Sequence, residues 1–365
     1  MVAVIMLCMQ LMLVTNVGEC CENSIMSSVS FSEIEEVIEE VVEQEEVDFQ
    51  ELVSALISGE WDENLFSRES IQKIVQDTFS LKKSDYIYLL FLSVMAAVFS
   101  VFTEILRDRQ VADTWFYMIY IMMCVLVFRA FKEIMETAVH SADSVVTFMN
   151  ALVPAYSLSV TLATGMGTGA GFYQCTLILI SIISGGVRTF IIPMTQTFVV
   201  LKIINYISEE DVLSRMAGLF EQGVKWLLKT AMAVLVGFQV VQSLLTPAID
   251  SFRNTSISKT ISAIPGIGGT AGAVTEMLVG SAVLLKNGIG TAAIIVILLI
   301  CLPPLIKIAI FTLSYKFMAA LLQPIADKRF VGCMGTVAEG GGLLLKSTAM
   351  IAGMFMISIA IVALR

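Results

Sequence analysis

ISAIPGIGGTAGAVTEMLVGSAVLLKNGIGTAAIIVILLICLPPLIKIAIFTLSYKFMAALLQP, residues Ile261 to Pro324, decides what kind of protein this is. Gly266, Gly268, Gly269, Gly272 and Gly280 open it, and Lys286 and Asn287 make a polar break. An almost uninterrupted apolar run then reaches Leu302, broken by Pro303 and Pro304 with Lys307 just beyond. A hydrocarbon core of ~30 Å is crossed by about 20 helical residues, so a run of this length predicts a passage through a bilayer.

The rest of the chain agrees. Of 365 residues, 57% are hydrophobic and 15% charged, and the mean hydropathy is +0.84, values outside the range of ordinary soluble domains. The net charge of -10 hides two regimes. Residues 1–80 carry 17 acidic side chains against Arg68 and Lys73, a net of -15, while the remainder carries 20 basic against 15 acidic, a net of +5. The expected fold is all-α: a polytopic helical membrane protein with an amino-terminal signal peptide and a short acidic amphipathic segment.

Three regions follow. Residues 1–20 read as a signal peptide or signal anchor, with an apolar core from Val2 to Val14 and a polar exit at Thr15 and Asn16. Arg68 is the first basic residue, so the usual positive start is missing. Gly18 suits cleavage after Cys20, whereas Glu19 spoils a lipid-attachment motif. Residues 21–85 read as an acidic extracytoplasmic helical segment. Phe31, Ile34, Ile38 and Val41, then Phe49, Leu52, Val53 and Leu56, recur at helical spacing opposite a face of glutamates, with Ser32 and Glu35 as a capping box. A second short helix is expected over Ser67 to Phe79. These helices bury little alone, so they should rest on each other, on the membrane body or on a partner.

Residues 86–365 read as the membrane domain, with about six to eight spans of which one or two re-enter. Tyr86 to Leu106 is the first span, closed by Arg107, Asp108 and Arg109, and Trp115 to Phe128 opens the next. Arg129 to His140 is amphipathic, with His140 at an interfacial helix end. Gly165, Gly167, Gly169 and Gly171 fit either a flexible link or a re-entrant turn before Phe172 to Ile192, where Arg188 should snorkel. Trp226 to Leu245 spans again, with Gln239 and Gln242 suited to interhelical hydrogen bonds. Leu343 to Leu364, after Gly340, Gly341 and Gly342, is the last span.

The chemistry-bearing residues are few. Cys8, Cys20, Cys21, Cys124, Cys175, Cys301 and Cys333 show no metal-ligand spacing, and there is one histidine, so no metal or cofactor is expected. No basic cluster suggests nucleic acid. The motifs GxGD, HExxH and Gly-x-Ser-x-Gly of intramembrane and serine proteases are missing, so no enzyme is expected and no catalytic residue is assigned. Gly268, Gly272 and Gly280 recur on one helical face with Glu276 among them. Such a face suits close helix packing or the lining of a pore. Glu276 reads as a group for cation or proton passage, as a buried partner of Lys286, or as a water-facing helix end. Lys286, Pro303, Pro304 and Lys307 complete this candidate helix-packing or pore-lining set.

The order IPGIGG, a glutamate, GS, LLKNGIG, an apolar span, LPPLIK and YKFMAALLQPIAD before a glycine-rich last helix resembles stage III sporulation protein AE of endospore-forming Firmicutes. The resemblance runs from about Tyr86 to the end and is most specific from Ile261 to Pro324. It implies a non-enzymatic subunit of a mother-cell membrane complex. Its partners would be the lipid bilayer, the complex's other membrane subunits and, through them, a forespore membrane protein; a homo-oligomer also fits. Together they would form a channel-like or secretion-like apparatus serving the forespore. The alternative is a stand-alone secondary transporter with Glu276 as coupling group, against which no inverted repeat is evident.

Overall fold

The computed structural model describes residues 31–41, 48–58, 109–164, 168–207, 213–261, 268–324 and 326–363, with positions 87, 88, 91, 94 and 95; side chains at 41, 109–113, 164–170, 172–173 and 246–279 lie outside the description. The expected signal peptide, the Ser67 to Phe79 helix and most of the Tyr86 to Leu106 span fall outside these residues. Everything described is helix and short turn, without a strand. That is what an apolar chain does in lipid, where each backbone polar group must be satisfied within its own segment.

Two short helices come first, α1 (Ser32–Val41) and α2 (Phe49–Ser58). Phe31, Ile34, Ile38, Phe49, Leu52, Val53 and Leu56 are all buried, so the periodic apolar stripe is their packing face. The expected capping box is replaced by another arrangement. The Phe31 carbonyl accepts from the N–H groups of Ile34 and Glu35, which puts Ser32 inside the first turn. Glu35 turns instead toward Asp48. Asp48 caps α2, its Oδ1 accepting from Gln50 N at 2.9 Å and Glu51 N at 3.0 Å. An Asp48→Ala chain should lose about 1 kcal/mol of α2 stability, read as faster amide exchange across Phe49–Ser58.

Burial and the Asp48 charge raise the Glu35 carboxyl above its usual value. A carboxyl raised in the folded state favours folding while protonated, and that contribution is lost as pH climbs through the raised value. Docking of α1 against α2 should therefore tighten on acidification from neutral pH. Glu35→Gln should remove this dependence in amide exchange; a Gln chain that keeps the same pH profile would show that another group controls it.

The body consists of α3 (Arg109–Thr164), α4 (Thr168–Gly186), a π-helical turn (Val187–Ile191), α5 (Ile192–Asn205), α6 (Ser214–Ile261), α7 (Gly268–Leu322) and α8 (Lys328–Ala363). Helices α3 and α7, with 56 and 55 residues, are each ~80 Å long at 1.5 Å per residue. Breaks expected from sequence are absent. The Arg129 to His140 stretch is the middle of α3, Lys286 and Asn287 leave α7 unbroken, and α7 runs through Pro303 and Pro304. Each proline removes one i→i−4 bond, which a helix held on several sides can tolerate. The π turn has a local cause, since Pro193 lacks the N–H that would continue the ladder at the start of α5.

Five described helical stretches are long and apolar enough to cross a membrane: Thr114–Ala163, Gln174–Asn205, Ser214–Leu245, Gly280–Leu322 and Lys328–Ala363. The chain is a multi-pass membrane protein. Helix α7 is central, packing most extensively on α8 and α3. Phe116 and Tyr120 of α3 meet Phe330 of α8, Phe131 lies beside Gly340, and Tyr156 beside Gly290 and across from Ile359. These pairs climb together, so α3 and α8 are parallel. Gly341 against Phe311 and Gly290 against Ile359 make α7 antiparallel to both.

Six of the buried hydroxyls are satisfied within their own helices. Ser159, Thr195, Thr312, Thr336, Ser347 and Thr348 each donate to the carbonyl four residues back, at 2.8 to 3.1 Å, which lets them sit in an apolar bundle without a neighbour's help.

Candidate functional site

Register turns the scattered charges of the membrane body into a pattern. Asp143 on α3 pairs with Arg188 of the π turn at 2.8 Å, which fixes a common depth for those two helices. Beyond Asp143, residues 144–163 carry no charge, nor do residues 168–186 of α4, 230–249 of α6 or 347–363 of α8. On α7, residues 287–306 are charge-free, with Lys307 at one end and Lys286 at the other. Asp143, Arg188, Lys229, Lys307 and Lys346 therefore mark one edge of a layer. About 20 residues deep, or ~30 Å, that layer matches the hydrocarbon thickness of a bilayer.

On the other side of the edge the same helices carry Arg129, Lys132, Glu133 and Glu136 on α3, Lys202 on α5, Glu221 and Lys225 on α6, and Glu339 on α8. Lys202 Nζ reaches Glu339 Oε2 at 2.6 Å and lies 5.3 Å from the Phe198 ring. Lys132 pairs with Glu136, and Lys225 with Glu221. These side chains are largely exposed, and each pair is worth at most about 1 kcal/mol. Their information is positional: they form a polar belt across these helices, beyond which α3 again exposes Met118, Ile121, Met122 and Val125. His140, expected at an interfacial helix end, is exposed within continuous α3, with Nδ1 3.4 Å from Ser144 Oγ at this edge.

At the far end of the charge-free run of α7, Lys286 is the exceptional residue. It is 2% exposed, on the central helix α7, and no described carboxylate pairs with it. Asn287 follows it with Oδ1 buried and without a protein partner among the described residues. Gly288 and Gly290 explain how α7 can be so enclosed here. A Cβ at Gly288 would lie 2.8 Å from Ile57 of α2, and one at Gly290 would lie 3.1 Å from the Tyr156 hydroxyl and 3.3 Å from Ile359. Gln242 accepts from Thr176 at 3.0 Å, linking α6 to α4 within the layer as expected of intramembrane amides.

The sequence-derived candidates are spread rather than gathered. Gly268, Gly272 and Glu276 occupy the first turns of α7, where only the backbone is described. Ten residues of continuous helix put Glu276 and Lys286 ~15 Å apart along the axis, too far for a direct pair within one chain. Gly280 is exposed, with open space where a Cβ would be. Pro303 and Pro304 are half-buried and Lys307 is exposed at the layer's edge. Cys124, Cys175 and Cys301 lie in apolar runs, which suggests small hydrophobes in a membrane core; Cys124 and Cys301 are buried, as is Cys333, while Cys175 is exposed on α4.

Tighter glycine contacts lie elsewhere. A Cβ at Gly340 would strike Val199 and the Phe131 ring, one at Gly341 would lie 2.6 Å from Thr312 Oγ1, and one at Gly332 would lie 2.5 Å from the Tyr206 ring. The run Gly340, Gly341, Gly342 was visible in sequence, but nothing there showed which of them touch a neighbour.

The family model described as stage III sporulation protein AE matches residues 34–365. The chain belongs to that family. Stage III sporulation protein AE of Bacillus subtilis (strain 168) is 20% identical over 276 residues, covering 75% of this chain and 69% of the relative. No solved structure matches. The family match takes in most of α1, all of α2 and all five charge-free helical stretches. It gives this chain a role in sporulation.

Proposed function

We propose that this chain is a non-enzymatic integral membrane subunit of a complex in the mother-cell membrane. It would join a forespore membrane protein through its companion subunits and contribute the pore or gate of a channel-like or secretion-like apparatus. The family match over residues 34–365 carries this reading, and the five helices crossing a charge-free layer with one buried lysine suit it. The amino-terminal segment lies on the extracytoplasmic side in this proposal. A cell that lacks the chain should complete engulfment and then fail to develop the forespore. Affinity purification from sporulating cells should recover the chain with other membrane subunits. Recovery as a free monomer, together with proton-linked uptake in liposomes that Glu276→Gln abolishes, would overturn the subunit reading in favour of a stand-alone transporter.

A further inference from the structure

Two thiols far apart in the chain meet at one end of the bundle. Helices α3 and α8 run parallel there, and the Tyr120 and Phe330 rings, 5.7 Å apart, set their register. About one turn beyond each ring, on the same helix face, stand Cys124 of α3 and Cys333 of α8. The two thiols lie within hydrogen-bonding reach of one another and of the Tyr120 hydroxyl. Both are free cysteines. Cys301, by contrast, faces the Ser141 hydroxyl, and Cys175 is exposed on α4.

The junction is held from several sides. Phe116 stacks on Tyr120 and meets Phe330 edge-on, and the Tyr120 hydroxyl donates to the Ile203 carbonyl of α5 at 2.9 Å. Gly332, next to Cys333, sits against the Tyr206 ring with no room for a Cβ. A frame this close keeps the sulfurs opposite each other, and a disulfide requires that, because its two Cβ atoms must point toward one another. Access differs between the two. Cys333 is 0% exposed and Cys124 is 8% exposed, with the exposed Ile121 and Val125 beside it on α3. A small uncharged oxidant arriving from outside therefore meets Cys124 first.

We propose that Cys124 and Cys333 form a peroxide-sensitive dithiol site which, once oxidised, clasps α3 to α8. The Cys124 sulfur attacks one oxygen of hydrogen peroxide, the O–O bond breaks, and a sulfenic acid and one water result. The Cys333 sulfur then displaces the hydroxyl group from Cys124, so that an S–S bond forms and a second water leaves. Two thiols give up two electrons and two protons, and one hydrogen peroxide becomes two waters. Helix α7 packs most extensively on α8 and α3, so the clasp ties together the two helices that hold it. This chemistry does not depend on what the sporulation apparatus conducts.

The test uses the full chain in membranes, reduced beforehand, treated with hydrogen peroxide and digested without reductant. Mass spectrometry should find peptides joined through Cys124 and Cys333, separated again by dithiothreitol, while Cys301 stays a free thiol. In a Cys333→Ser chain, dimedone, which traps sulfenic acids, should tag Cys124; in a Cys124→Ser chain the tag at Cys333 should be several-fold weaker. The oxidised chain should unfold at a higher Tm than the reduced one, and neither single variant should show that shift. Cys124 and Cys333 thiols that stay free under peroxide strong enough to oxidise the exposed Cys175 would overturn the proposal. So would a disulfide from either of them to a different cysteine, or a peroxide-induced Tm rise that persists in both variants. The joined peptides are read on the unaltered chain, so a variant that fails to fold leaves the test decisive.

Discussion

Gly340→Val should cost roughly 3 kcal/mol, the upper end of the range for forcing extra carbon into a packed core. The new side chain has nowhere to go. Its Cβ alone meets Val199 of α5, and the Phe131 ring of α3 stands 2.9 Å away, so α3, α5 and α8 would all have to separate. Val199 is itself β-branched and fully buried, with little rotamer freedom to yield. The contact also adjoins the Lys202–Glu339 pair, which should open as α5 and α8 part. Thermal unfolding in detergent, followed by the loss of a monodisperse peak, checks this. Gly335→Ala is the control: nothing lies within 4 Å of a Cβ there, and alanine should be neutral or stabilise the helix by up to about 1 kcal/mol. Equal losses from both variants would mean that general helix disruption, not this contact, is responsible.

Lys286→Met should do the opposite to stability. Methionine matches the lysine stem in length and flexibility, so packing is conserved while a buried cation is removed. Replacing a buried ion pair by apolar groups of similar volume is often neutral or gains about 1–4 kcal/mol, and a buried lysine carries the same desolvation cost. No described carboxylate offsets the cost of Lys286, so the upper part of that range is expected, read as a raised Tm of the full chain in detergent. The same variant should impair spore formation if the cation serves the apparatus. A more stable chain that still supports normal sporulation would assign Lys286 no functional part, and a less stable one would reveal a partner for its ammonium group.

Much of this was legible in the residues. The stripe Phe31, Ile34, Ile38, Phe49, Leu52, Val53, Leu56 is buried residue for residue, because a period of 3.6 leaves no other face for apolar groups. The charge on Lys286 and the amides of Gln239 and Gln242 were equally visible as polar groups in apolar surroundings. Helix ends were harder. Arg129 to His140 looked like an interruption because charges close together suggest water, yet a long helix can cross from lipid to water without a break. Pro303 and Pro304 looked like a stop for the same local reason, and packing around α7 overrides it.

Hydropathy by itself determined that the described spans are helices and that the chain crosses a membrane several times, since apolar segments of bilayer length satisfy their backbone within themselves. Periodicity determined which face of the acidic helices is buried. Only the tertiary structure decided what those faces touch: α2 on Gly288 and Phe148, α8 on α3 and α5 through Gly340, and five charges from five helical stretches brought to one depth. Depth and contact depend on register between segments far apart in the chain, and register is set by packing among side chains that no local pattern encodes.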